Sequence, residues 1–123
     1  MASEAPVVVY DACVLYPFHL RNLLVELAIE GLVAARWTDT IHDEWIRNLA
    51  KQARIAKSRL LITRDLMKAV LPEADIKNSE TLVPTISLPD KSDRHVLAAA
   101  IAARASTILT WNVRHFPPSA LAP

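Results

Sequence analysis

The sequence predicts an α/β fold with a mostly parallel central sheet and helices on both faces, and three observations carry that expectation. Short apolar runs recur at residues 7–10, 32–37 and 107–110, the length of buried strands. The segments between them place apolar residues at helical spacing. Strands that alternate with helices in this way build parallel sheets through crossover connections. The 123 residues suit a single domain, 1–123, with one core.

Val7, Val8, Val9 and Tyr10 open the chain's first strand, which ends abruptly in Asp11. A helix follows over 18–29, with Leu20, Leu23, Leu24, Leu27 and Ala28 on one face. Gly31 suits its C-terminal cap. Residues 32–37 read as the second strand. Thr38, Asp39 and Thr40 each offer an N-cap for a helix that carries Ile41, Trp45, Ile46, Leu49 and Ala53. A third helix, 55–71, stops at Pro72, which cannot continue it. Residues 73–87 are ambiguous; 81–87 could hold a short strand broken by Pro84. The last helix is capped by Asp90 or Ser92 and carries the stripe Val96, Leu97, Ala100 and Ile101. A strand over 107–110 follows, and the proline-rich tail from Phe116 reads as irregular.

Composition narrows the function. The chain is 52% hydrophobic and 22% charged, a folded protein rather than a disordered one. Net charge is +1, so nucleic-acid affinity must come from local clusters. A single cysteine, Cys13, allows no internal disulfide and fits a reducing, cytoplasmic compartment. No signal peptide is visible, and no run reaches the roughly 18 apolar residues of a membrane span. Gly31 is the only glycine, which excludes a glycine-rich phosphate loop.

In a parallel sheet, ligands gather outside the carboxyl ends of the strands. Asp11 closes the first strand there, and Asn112 stands after the last. The helix that starts near Asp93 runs into that last strand, so its N-terminus returns to the same edge. Asp11, Asp43, Glu44, Asp90 and Asp93 are the acids available to that rim. Helical phase leaves Asp43 and Glu44 as alternatives. Carboxylates without paired Cys or His ligands suit a hard cation, Mg²⁺ or Mn²⁺. Cys13, His42, His95 and His115 lack zinc-site spacing. Lys51, Arg54, Lys57, Arg59, Arg64 and Lys68 make either a phosphate-contacting patch or a solvated helix face. Arg94, His95, Arg104, Arg114 and His115 lie nearer the rim, where the two histidines could contact phosphate or shuttle protons. Trp37, Trp45 and Trp111 read as core or core-edge residues, and Cys13 as packing.

Four segments together resemble the PIN-domain ribonucleases, including the VapC-type toxins. They are VVYDACVLYP at 8–17, HDEW at 42–45, LPDKSDRHVLAAA at 88–100 and TWNVRHFP at 110–117. The resemblance implies a three-layer PIN-like fold and a metal-dependent endoribonuclease paired with an antitoxin. It makes Asp11, Glu44 and Asp93 the catalytic, metal-holding acids, with Asp90 as an accessory acid and Asn112 as a neutral ligand. Arg54, Lys57, Arg94, His95, Arg114 and His115 would bind RNA. The family often has acids where this chain has Asn112 and His115, so a second metal would be held weakly. The alternative is a catalytically weak PIN-like module that binds RNA or a protein. The apolar face of helix 18–29 offers a surface for a homodimer. The family usually continues into a last short strand where this sequence stops, which implies a less protected sheet edge.

Overall fold

Strand β1 (Val7–Tyr10) lies between β2 (Ala34–Arg36) and β3 (Thr107–Leu109), parallel to both, in the order β2-β1-β3. This computed structural model describes residues 5–88 and 91–117. Val8, Val9 and Tyr10 point alternately to opposite sides of the sheet, yet all are buried. Both faces of the central strand are therefore covered, as parallel sheets require. The chain leaves β1 toward one neighbour and later returns to the other side. The carboxyl end of β1 is thus the switch point of the sheet.

The first crossover departs from the sequence expectation. Asp11 caps a short helix, α1 (Ala12–Leu15), that the sequence did not announce, and α2 (Phe18–Ile29) follows. Arg21 of α2 is buried, and its Nη1 donates to the carbonyls of Leu15 and Tyr16. Its guanidinium therefore satisfies the C-terminal carbonyls of α1. Leu24 is the buried leucine of α2, whereas Leu23 is 54% exposed, off the face expected for it. Gly31 adopts φ +80° just beyond the helix, the left-handed conformation expected there.

Strand β2 is shorter than the 32–37 run. Beyond it, Trp37 forms an isolated parallel bridge with Asp75, and the Trp37 indole donates to the Asp75 carboxylate at 2.7 Å. Helix α3 (Asp39–Gln52) is capped by Thr38, whose hydroxyl accepts from Ile41 N–H. It buries Ile41, His42, Trp45, Ile46 and Leu49. Helix α4 (Lys57–Val70) packs on α3. Residues 79–85 form a 3-10 segment (Ser79–Thr85) against the last helix, not a strand. Pro84 lacks the N–H that a strand ladder would need there.

The last helix, α5 (Arg94–Ala103), follows a 3-10 turn (Lys91–Asp93) and has Asp93 at its N-cap. Asp90, a proposed cap, lies outside the described residues. Val96 through Ala100 are buried on every side, and the alanines let α5 approach β1 and β3. The helix emerges from the core at Ile101, which is 50% exposed rather than on a buried stripe. Trp37 and Trp45 are fully buried, but Trp111 is 69% exposed, against the expectation of a core or core-edge position. No helix of the described residues is long and apolar enough to cross a membrane.

Candidate functional site

Asp11 is placed by the best-anchored strand. Its N–H donates to Leu109 O at 3.1 Å, extending the β1–β3 ladder by one bond. Its carboxylate is almost fully buried and held at both oxygens. Oδ1 accepts from Ala12 N–H at 2.7 Å, and Oδ2 accepts from the Thr110 hydroxyl at 2.7 Å. Cys13 reinforces this corner: its Sγ accepts from Trp111 N–H at 3.2 Å and lies 3.3 Å from Thr110 Oγ1. Burial pushes the Cys13 thiol above its ordinary range, so it is a packed thiol rather than a nucleophile.

Glu44 comes from α3. Glu44, Asn48 and Gln52 recur at four-residue spacing and so form one ridge of the helix. All three line a cavity of about 290 Å³ at the carboxyl ends of the strands, together with Asp11, Asp93, Asn112, Cys13 and Tyr16. Asp43 is exposed and does not line it, so the structure separates the two acids that helical phase left open. Tyr16 closes one side by donating its hydroxyl to Gln52 Oε1 at 2.9 Å.

Asp93 enters from the N-terminus of α5, with its side chain 14% exposed. Asn112 enters from the segment after β3, where its N–H donates to Thr110 Oγ1 at 2.9 Å. Asp11, Glu44, Asp93 and Asn112 thus share one cavity although 101 positions separate the first from the last. They do not close to a coordination sphere: among the described residues, no group of three His, Cys, Asp or Glu side chains stands at metal-holding distances. Asp90, the accessory acid, lies outside the described residues.

The two rim histidines face the acids. His95 Nε2 donates to Glu44 Oε1 at 2.6 Å, and His115 Nδ1 lies 2.7 Å from Asp93 Oδ2. Among the described residues, no lysine or arginine lines the cavity. Arg54 and Lys57 are exposed where α3 gives way to α4, and Arg54 holds φ +54° there. Arg94 donates Nε to Lys91 O, and Arg114 is exposed. Two members of the larger basic run are occupied by acids: Arg64 by Asp65, and Lys68 by Asp39 and Asp75. The Asp39 hydrogen bond raises the Lys68 ammonium and lowers the Asp39 carboxyl.

Thr110, Cys13, Asn48, Gln52 and Tyr16 were not singled out for this site from the sequence. Only the α3 pair left a readable signal, as polar residues four and eight positions after Glu44 on the side of the helix away from its apolar stripe.

The PIN domain family model matches residues 7–114, from β1 through the segment after β3. The chain belongs to the PIN domain family. A protein of Mycobacterium tuberculosis named "Putative ribonuclease VapC50" is 61% identical over 31 residues. That match covers 25% of this PIN domain chain and 18% of the relative's length. The carboxylate and carboxamide lining of the cavity offers hard oxygen donors, which fit a divalent cation such as Mg²⁺ or Mn²⁺ better than zinc.

Proposed function

We propose that this PIN domain is a metal-dependent endoribonuclease and the toxin of a bacterial toxin–antitoxin pair. The observation that carries the reading is the cavity at the strand ends, whose lining among the described residues has three carboxylates and no lysine or arginine. Like charges facing one cavity repel, and a divalent cation relieves that repulsion. Asp11, Glu44 and Asp93 would hold Mg²⁺ or Mn²⁺, with the Asn112 carbonyl as a neutral donor. A cation bound there supplies Lewis acidity for phosphodiester hydrolysis.

The chain's own residues supply the rest. Asp11 is fixed by its two hydrogen bonds, so it presents its remaining lone pairs in one orientation. Asn112 can orient a water at the cavity mouth. Arg54, Lys57, Arg94 and Arg114 would draw the RNA backbone toward that mouth. RNA as substrate rests on the word ribonuclease in the name of the mycobacterial relative, and an antitoxin as partner rests on the resemblance to the VapC-type toxins. An RNA substrate also places the protein in the cytoplasm. On the α2 face proposed for a homodimer, Leu24 is buried in the core and Leu23 is exposed.

Asp11→Asn and Asp93→Asn test the assignment. Each should lower RNA cleavage in Mg²⁺ or Mn²⁺ by about 10²–10⁴-fold. Undiminished cleavage in both variants refutes it. One observation favours a second reading, a binding module with little catalysis: an imidazole already lies against each of Glu44 and Asp93. RNA binding without cleavage at millimolar Mn²⁺ would select that reading.

A further inference from the structure

We propose that His95 and His115 are positioning residues, each fixing one carboxylate of the cavity, rather than contacts for RNA phosphates. The proposal rests on the metal-dependent reading above and deepens it. Each cavity acid meets a side chain from a different segment. Thr110 after β3 donates to Asp11, His95 in the first turn of α5 donates to Glu44 on α3, and His115 lies against Asp93. The contacts run in series. Glu44 is tied to α5 through His95. Asp93, two residues before His95, is tied through His115 to the segment after β3. Thr110 of that same segment is tied to Asp11 at the end of β1. The four segments that carry the cavity acids and Asn112 are therefore linked by side-chain contacts among themselves.

The physical need is clear. Among the described residues, three carboxylates and no lysine or arginine line the cavity, and repulsion would turn the acids apart. A side chain that engages one carboxylate oxygen fixes the rotamer and leaves the other oxygen to face the cavity. Groups placed behind metal ligands in this way typically contribute 10–100-fold to metal affinity. The short 3-10 turn Val113–His115 aids the arrangement, because His115 N–H donates to Asn112 O at 2.9 Å. One turn thus carries both the cavity carboxamide and the imidazole against Asp93. A phosphate contact would instead require each imidazole to turn away from the acids, yet both stand within 2.7 Å of a carboxylate oxygen, and the His95 side chain is only 18% exposed.

The test measures Mn²⁺ binding by the paramagnetic signal of the free ion, apart from cleavage. His95→Ala and His115→Ala should each weaken Mn²⁺ binding by about 10–100-fold. His95→Gln keeps a donor near Nε2 and His115→Asn keeps a polar group near Nδ1, and each should stay within about threefold of the parent, a spread small beside the loss expected for alanine. RNA binding in EDTA should be the same in all four variants. Circular dichroism confirms that each variant is folded, and the amide variants serve if an alanine variant is not. Unchanged Mn²⁺ affinity in the alanine variants, or weaker RNA binding in EDTA, overturns the positioning role. Amide variants that lose affinity as far as alanine overturn the donor argument. A parent protein that binds no Mn²⁺ at millimolar concentration overturns the metal-dependent reading, and this role with it.

Discussion

The two faces of α3 perform opposite tasks with the same backbone. One face inserts Ile41, His42, Trp45, Ile46 and Leu49 into the core. The other lines the cavity with Glu44, Asn48 and Gln52. On the core face, polar groups are tied to aromatic ones: Trp45 indole N–H donates to His42 Nδ1 at 3.0 Å. The His42 ring lies 4.9 Å from Trp37, edge to face, and the Arg21 guanidinium stands 4.8 Å over the Trp45 ring. On the cavity face, the carboxylate gains no such enclosure and depends on one imidazole. The difference teaches where the helix draws its stability. The core face fixes the helix, and the cavity face can then carry a charge that contributes little to folding.

The contrast breaks most visibly at Trp45. Trp45→Ala should destabilise the protein by about 3–5 kcal/mol, read from denaturant melts, because it removes a fully buried indole and leaves His42 Nδ1 without its donor. A loss below about 1 kcal/mol would mean that the core face does not anchor α3.

His42 sharpens the comparison through pH. Burial pushes it from 6.5 down to about 4. The folded state therefore keeps His42 neutral where the unfolded chain already takes up a proton. Stability should be flat above pH 6.5 and fall as pH drops from 6.5 to 4, by about 2 kcal/mol between pH 7 and pH 5. His42→Gln should flatten this segment of the stability profile. A slope unchanged by the substitution would assign the titration to another group.

The smallest effect belongs to the cavity face. Glu44→Gln keeps the side chain's size and its acceptor for His95 while removing one negative charge. Its stability should lie within about 0.5 kcal/mol of the parent, while Mn²⁺ affinity falls. A large stability loss would show that Glu44 is structural.

The central strand and the apolar phase of α3 were legible because both are local patterns. Val7–Tyr10 is β-branched and ends in a charge, and Ile41, Trp45, Ile46 and Leu49 repeat at helical spacing. The choice between Asp43 and Glu44 was not settled by apolar phase, since neither lies on the apolar stripe. The polar ridge through Asn48 and Gln52 carried that information instead. Residues 79–85 stayed ambiguous because Thr81 and Val83 have strand-like side chains, while their conformation is set by packing on α5. Trp111 could not be placed by type alone, because its burial depends on whether anything covers the segment after β3. The partners of His95 and His115 stand 51 and 22 positions away, beyond the reach of any periodicity.

Strand β1 is flanked on both sides, and Asp11 sits at its end with one more ladder bond to Leu109. Backbone amides there should be among the last to exchange with deuterated solvent, since opening them requires both neighbouring strands to part. Loosening of α4 or of the 79–85 segment would then leave the first acid seated. The machinery would lose its reach or its partners before it lost its anchor.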